Sequence, residues 1–464
     1  YENGGRPSLP LRTDSPRRIL VTGPLSSSLR HQTGGWSAHW QGAKSDGELA
    51  SQRGETVRDA IARLAPAGSS VTHTAGCSIV GDKGPDKSVC TASVRESEEL
   101  SRMAAAAEVV VLCLGEEAYT EKPGDLSDLA LHAGQLDLAR RVFSANANVV
   151  IVLVEGRPRL LHGITDSAAA VVHALLPGPH GGTAIGEALF GYLNPSGRLP
   201  YTYPKHAGVH FPHWHAVSAL CIADSPSFLA ASMADCPSQW PFGYGLSYTR
   251  FDYSQISISK TVAHPGFVNV SLLVTNAGTR AGSHTVLLFM FKRFQQLITP
   301  EAQRLVAFER IDSLAPAATR RVRFSISTRS LRYIDEMLST VIEDGEYVFR
   351  AGLKGESCEG GSYELTTLLD GGTHTRLLDV PTKPLDQVTI AHLYTRHEQW
   401  LVRYVLLLQL AALLCVFCAG VHARRAFNVL TRLLKTLCRA SKVSSKLALI
   451  CKPTYRIMQS CQNV

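Results

Sequence analysis

No aspartate or glutamate follows Glu398 in this 464-residue chain. Nine Lys/Arg lie between Arg424 and Arg456, one more than the whole net charge of +8. The rest of the chain is therefore close to neutral, and the basic total is no sign of nucleic-acid binding by the folded part. Also missing is a GxGxxG run after the first apolar stretch. Gly23-Pro24-Leu25 stands there instead, which argues against a dinucleotide cofactor. No CxxC pair with zinc spacing occurs outside the apolar stretch that holds Cys415 and Cys418. His210, His213 and His215 cluster in HFPHWH without a carboxylate or a second cluster, so no metal and no cofactor is expected. The chain opens on Tyr1, with neither an initiator Met nor a signal-peptide apolar region, and reads as lacking its natural N-terminus. Charged residues make up 19% and hydrophobic ones 45%, which suits a chain that buries cores over two or three domains.

What is present is organised around Val109–Asp128, VVVLCLGEEAYTEKPGDLSD. Val109–Leu114 is an unbroken apolar run and predicts a strand buried on both faces. It stops at Gly115, and an acidic loop follows with Glu116, Glu117, Glu121, Asp125 and Asp128. Open α/β sheets hold their ligands beyond the carboxyl ends of the strands, so this loop lies where a site belongs. A solvated loop that aids solubility is the plainer reading. Around it, strands are expected at Arg17–Gly23, Ser69–Gly76, Val149–Val154 and Ala168–Leu175. Helices are expected at Thr56–Pro66, Ser97–Ala107 with Ser97 as N-cap, His132–Ala145 and Gly182–Phe190. The alternation predicts an open, mostly parallel α/β sandwich of flavodoxin type.

From residue 255 the texture changes to short alternating runs separated by turns such as Asn276-Ala277-Gly278, which predicts an all-β immunoglobulin-like sandwich. Residues 356–399 read as a polar connector. Residues 400–422 are apolar apart from Arg403, Gln409 and His422, long enough for a single transmembrane helix, with Trp400 and Tyr404 at the interface. The basic tail, 423–464, then marks the cytoplasmic side and leaves the preceding domains extracellular. An amphipathic or buried helix is the alternative. Of the eleven cysteines, Cys77–Cys90 and Cys221–Cys236 are the pairs nearest in sequence among those before the span, and Cys113 reads as a free core thiol. Asn269-Val270-Ser271 is the one glycosylation sequon, and it falls in an expected strand.

Gly115, Glu116, Tyr119, Glu121, Gly124 and Asp125 form GE-x-x-Y-x-E-x-x-GD, which resembles the acid/base loop of glycoside hydrolase family 3, the β-glucosidases and β-xylosidases. Leu175–Pro204 is similar to the family's PG-x-x-GG…LFG-x-x-NPSGRLP-x-x-YP segment, and Pro241–Ser254 to its FGYGLSYT-x-F exit. Residues 1–16, polar and rich in Pro and Gly, read as a linker, and the resemblance implies the family's C-terminal α/β domain at 17–249 and a fibronectin type III-like domain at 250–355. It also implies that Glu121 is the general acid/base and that Trp40, the second tryptophan of GGWSAHWQG, is a sugar platform. Tyr119 is either a loop anchor or a site wall, and Trp36 is assigned to core packing.

Retaining glycosidases need two carboxyls about 5–5.5 Å apart, and the acid/base must stay protonated, here with Glu116, Glu117 and Asp125 as the neighbouring negative charge. The family's nucleophile belongs to an N-terminal barrel of roughly 250 residues, for which this chain has no room before its first strand. The expectation is thus the C-terminal part of a membrane-anchored, retaining β-glucosidase-like enzyme acting on β-linked glucosides or oligosaccharides. It would supply the acid/base but be inactive alone unless another chain brings the barrel. The alternative is a non-catalytic, membrane-tethered carbohydrate-binding or adhesion protein, and a third is a degenerate remnant.

Overall fold

The computed structural model describes residues 2–3, 6–81, 88–122, 124–207, 213, 238–353 and 363–370. Its first domain is a five-stranded, all-parallel sheet of Arg18–Thr22 (β1), Ser70–Thr74 (β2), Val109–Gly115 (β3), Val149–Val154 (β4) and Ala170–Leu175 (β5). The spatial order is β2-β1-β3-β4-β5, the order of flavodoxin-type sheets. Every residue of β3 and β4 is buried because helices cover both faces. Val109, Val111 and Cys113 face Val57–Leu64 (α1) and Gly181–Leu189 (α4). Val110, Leu112 and Leu114 face Val94–Ala106 (α2) and Ala133–Ala145 (α3). Each Val, Leu or Ile so enclosed contributes about 1.5–3 kcal/mol, which makes the two central strands the rigid part of the domain.

The start of α2 differs from expectation. Ser93, not Ser97, is its N-cap, because Ser93 and Glu96 exchange side-chain-to-backbone bonds in a capping box. The segment expected as a free 1–16 linker is partly docked as well. Leu9 and Leu11 pack against the sheet core, and the Leu11 amide donates to the Leu189 carbonyl at 2.7 Å.

The second domain is a two-sheet β sandwich. Phe251–Ile258 (β6), Phe267–Asn276 (β8) and Thr319–Ser327 (β11) form one sheet in the order β6-β8-β11. The other runs β7-β13-β12-β9-β10, built from Thr261–Ala263 (β7), Gly282–Phe291 (β9), Arg304–Leu314 (β10), Gly345–Ala351 (β12) and Tyr363–Asp370 (β13). Alternate residues of β8, Val268 through Val274, turn inward against Val286, Leu288, Tyr347 and Phe349. Strand β13 corrects the domain limit of 355. Within the Gly- and Thr-rich stretch, Tyr363–Asp370 pairs antiparallel with β12 and parallel with β7.

The two domains are tied by polar bonds. Asn194 donates to the Ala281 carbonyl at 3.0 Å, and Arg280 donates to the Gly191 carbonyl at 3.0 Å. Cys77 and Cys90 are bridged, and Cys113 is a buried free thiol whose pKa burial pushes up. The Cys221–Cys236 pair, His210 and His215, the span at 400–422 and the basic tail lie outside the described residues. Among the described residues no helix is long and apolar enough to cross a membrane.

Candidate functional site

The acidic loop leaves the carboxyl end of β3 through Gly115. Its φ is 150°, and a Cβ there would lie 1.9 Å from the Val154 carbonyl oxygen, so only glycine lets β3 and β4 end side by side. The parallel register pairs Gly115 with Val154, which sets Glu116 beside the turn Glu155–Arg159. Glu116 is buried and accepts from Arg157 Nε at 2.9 Å and Arg159 Nη1 at 2.7 Å. Arg159 also donates to the carbonyls of Leu129, at 3.0 Å, and Ala130. One guanidinium therefore grips both ends of the loop 116–130. Arg157 lies 3.9 Å over the Tyr119 ring, and the Tyr119 hydroxyl leaves no room for a side chain at Gly156. Burial raises the Tyr119 pKa, and the Glu116 charge adds to it.

Behind this pair lies a second carboxyl. Glu155 is fully buried, with Tyr203 Oη 2.6 Å from its Oε1 and 2.8 Å from the Arg159 carbonyl. One phenol proton can serve only one of these acceptors. Burial pushes the Glu155 carboxyl up to about 8, with the Tyr203 hydrogen bond opposing the rise and the Glu116 charge adding to it.

Glu121 stands exposed in the turn of the loop, where the Asp125 amide donates to the Lys122 carbonyl at 3.0 Å. The tryptophan loop packs against the same segment. Gly35 approaches the Tyr119 carbonyl too closely for any side chain, and Gln41 donates to Thr120. The expected sugar platform and the expected acid/base are thus on loops that touch. Trp40 is 48% exposed. Trp36 is not in the core: it is 67% exposed and meets Trp40 edge-to-face at 6.3 Å. Its backbone explains the difference. Trp36 has a φ of 54° and donates to the Trp40 carbonyl at 3.0 Å, a tight turn that throws the ring outward.

Two of the three neighbouring acids, Glu116 and Glu117, do not contribute to the negative field expected around Glu121. Glu116 is neutralised by two arginines, and Glu117 is bound by Arg30 and by His31 Nε2 at 3.2 Å. Burial works to raise the Glu117 carboxyl, but the His31 bond and the Arg30 and His31 charges outweigh it and hold it below its usual range. His213 stacks on Phe242 with 4.1 Å between centroids and accepts from the Leu305 amide. Among the described residues no group of three His, Cys, Asp or Glu could hold a metal. The sequence reading missed Arg157, Arg159 and Glu155. The available signal was the register: two strands ending together place E-G-R-P-R beside G-E-E.

The family model described as glycosyl hydrolase family 3 C-terminal domain matches residues 2–248, and the fibronectin type III-like model matches 284–354. A lysosomal beta glucosidase of Dictyostelium discoideum is 33% identical over 359 residues, 74% of this chain and 41% of its own length. A periplasmic beta-glucosidase of Salmonella typhimurium is 28% identical, over 77% of this chain and 47% of its own. A crystal structure of the beta-glucosidase from Listeria innocua superposes with a TM-score of 0.65 at 22% identity, over 78% of this chain and 47% of that one, which is a likeness of fold. The chain spans about half the length of the relatives it matches or less.

Proposed function

Because the chain belongs to glycosyl hydrolase family 3, we propose that its α/β domain is the acid/base half of a retaining β-glucosidase-like site. Glu121 protonates the glycosidic oxygen and then activates water, and Trp40 stacks on the sugar's C–H face. Tyr119, held under Arg157, anchors the loop. The aspartate nucleophile and most sugar contacts come from a barrel, joined to this chain in a longer protein or carried by a separate chain. The substrate class is β-linked glucosides or oligosaccharides. The observation that carries this is the loop arrangement: Glu121 stands exposed on a loop locked at both ends, against the loop that presents Trp40.

The span at 400–422 anchors the protein in a membrane, with the domains outside and the basic tail inside. A second reading, a membrane-tethered carbohydrate-binding or adhesion protein without turnover, draws on the exposed Trp36–Trp40 pair, which suits sugar stacking without any acid.

The intact mass of the protein extracted from its native membrane separates the two. A species larger than this 50.3 kDa chain by roughly 25–35 kDa, or one co-purifying with a barrel-bearing chain, supports the glycosidase reading. A species at 50.3 kDa with no such partner supports the binding reading.

A further inference from the structure

The sequon Asn269-Val270-Ser271 lies on β8, the central strand of the three-stranded sheet. Val268 and Val270 point into the core, so Asn269 points out, and it is exposed. Its ties to the sheet are through its backbone: its amide donates to Ser259 Oγ at 3.1 Å and its carbonyl accepts from the Ser259 amide at 3.0 Å. Small residues flank it across the strands on this face, with Ser325 opposite on β11 and the hydroxyls of Ser257 and Ser271 3.0 Å apart, while Phe267 and Arg323 stand exposed nearby on the same face. A branched substituent on Asn269 therefore has room. Asn194-Pro195-Ser196 has a proline in its middle position and is not a sequon.

Phe267 lies two residues before Asn269 on the same outward face, and its ring is 58% exposed. Same-face neighbours along a strand are roughly 7 Å apart, about the length of one pyranose ring with its linkage. The bridged Cys77–Cys90 pair is an independent sign of the oxidising compartment in which such sequons are modified.

We propose that Asn269 carries an N-linked glycan whose first N-acetylglucosamine covers the Phe267 ring. In the transfer, Asn269 Nδ2 bonds to C1 of that sugar on a polyprenyl-diphosphate oligosaccharide donor. The C1–O bond to the diphosphate breaks, the diphosphate leaves with the electron pair, and the amide proton passes to a base of the transferase. The apolar face of the sugar then shields an aromatic side chain that the bare domain leaves to water.

The test uses the full chain directed into the secretory pathway of a eukaryotic host and confirmed by peptide mass to hold the Cys77–Cys90 bridge. The expected result is a glycopeptide at Asn269 that is lost in Asn269→Gln and Ser271→Ala. An endoglycosidase that leaves one N-acetylglucosamine should leave the melting temperature unchanged. An amidase that releases the whole glycan by hydrolysing the Cγ–Nδ2 bond, leaving aspartate at 269, should lower it by about 2–6 °C relative to the Asn269→Asp variant's own shift, the size of one aromatic stacking contact in a domain of this length. In Phe267→Ser the two treatments should give equal melting temperatures after the same correction. An unmodified Asn269 peptide from bridged protein overturns the proposal. Equal melting temperatures, so corrected, after the two treatments of the unsubstituted protein overturn the role of Phe267.

Discussion

Arg159 Nη1 lies 2.7 Å from Glu116 Oε1, both groups buried, while the same guanidinium holds the Leu129 and Ala130 carbonyls. The contact joins the start of the acidic loop to its end across β3 and β4. In the proposed role the loop presents a proton donor to another domain and needs a fixed base, and this ion pair supplies it with charge-assisted bonds in place of a core.

Removing either partner should be costly. Arg159→Ala leaves the buried Glu116 carboxylate with Arg157 as its one remaining cation, and Glu116→Ala leaves both guanidiniums without their carboxylate; each should lower unfolding stability by about 3–5 kcal/mol, read from urea denaturation. The double variant Glu116→Ala/Arg159→Ala should cost less than the two single changes summed, because neither group is then left without the other. Strict additivity would mean that the pair does not act as a unit.

Glu155 gives a pH signature. Its folded pKa, about 8, lies above the unfolded value of about 4.3. The folded state therefore holds the extra proton between those values, and stability from this group falls as pH rises from about 4.3 through 8. Glu155→Gln keeps the shape and cannot ionise. It should melt several degrees higher than the unsubstituted protein at pH 8 and within a degree of it at pH 4.5. Identical pH profiles for the two proteins would contradict a protonated Glu155.

The Cys77–Cys90 bridge closes a short loop, with a sequence separation of 13. Replacing both cysteines with serine should cost about 2–3 kcal/mol, the usual scale for a loop of this length. Urea midpoints with and without the bridge give the value. The loss should be smaller at Cys113, where Cys113→Ala trims one buried sulfur from β3 and leaves no loop open.

Much of this was legible in the sequence, for identifiable reasons. Val109–Leu114 and Val149–Val154 are long β-branched runs with no polar interruption, and only a strand covered on both faces tolerates that. Strand β13 is hidden because Tyr363–Asp370 joins the sheet between the preceding β12 and the sequence-distant β7 and is set in a polar stretch. Trp36 was misplaced because its exposure comes from a positive φ in a tight turn, which neither hydropathy nor spacing encodes. At the site, Glu121 and Trp40 were picked out by motif. The arginines that neutralise Glu116 were not, since a salt bridge between residues 43 apart depends on sheet register. That missing pair also explains why the acids beside Glu121 looked like a negative cluster on paper.

The proposed role of this chain is to bring the proton donor to a shared glycosidase site. The most direct measurement is hydrolysis of phenyl and 2,4-dinitrophenyl β-glucosides by this chain, alone and fused to the N-terminal barrel of a family 3 β-glucosidase, with Glu121 intact or replaced. The chain alone should show no turnover. In the active fusion, Glu121→Ala should slow the phenyl glucoside by about 10²–10⁴-fold. The dinitrophenyl glucoside, whose leaving group needs no proton, should lose far less in its bond-breaking step. Turnover of the phenyl glucoside at an unchanged rate in Glu121→Ala would contradict the account.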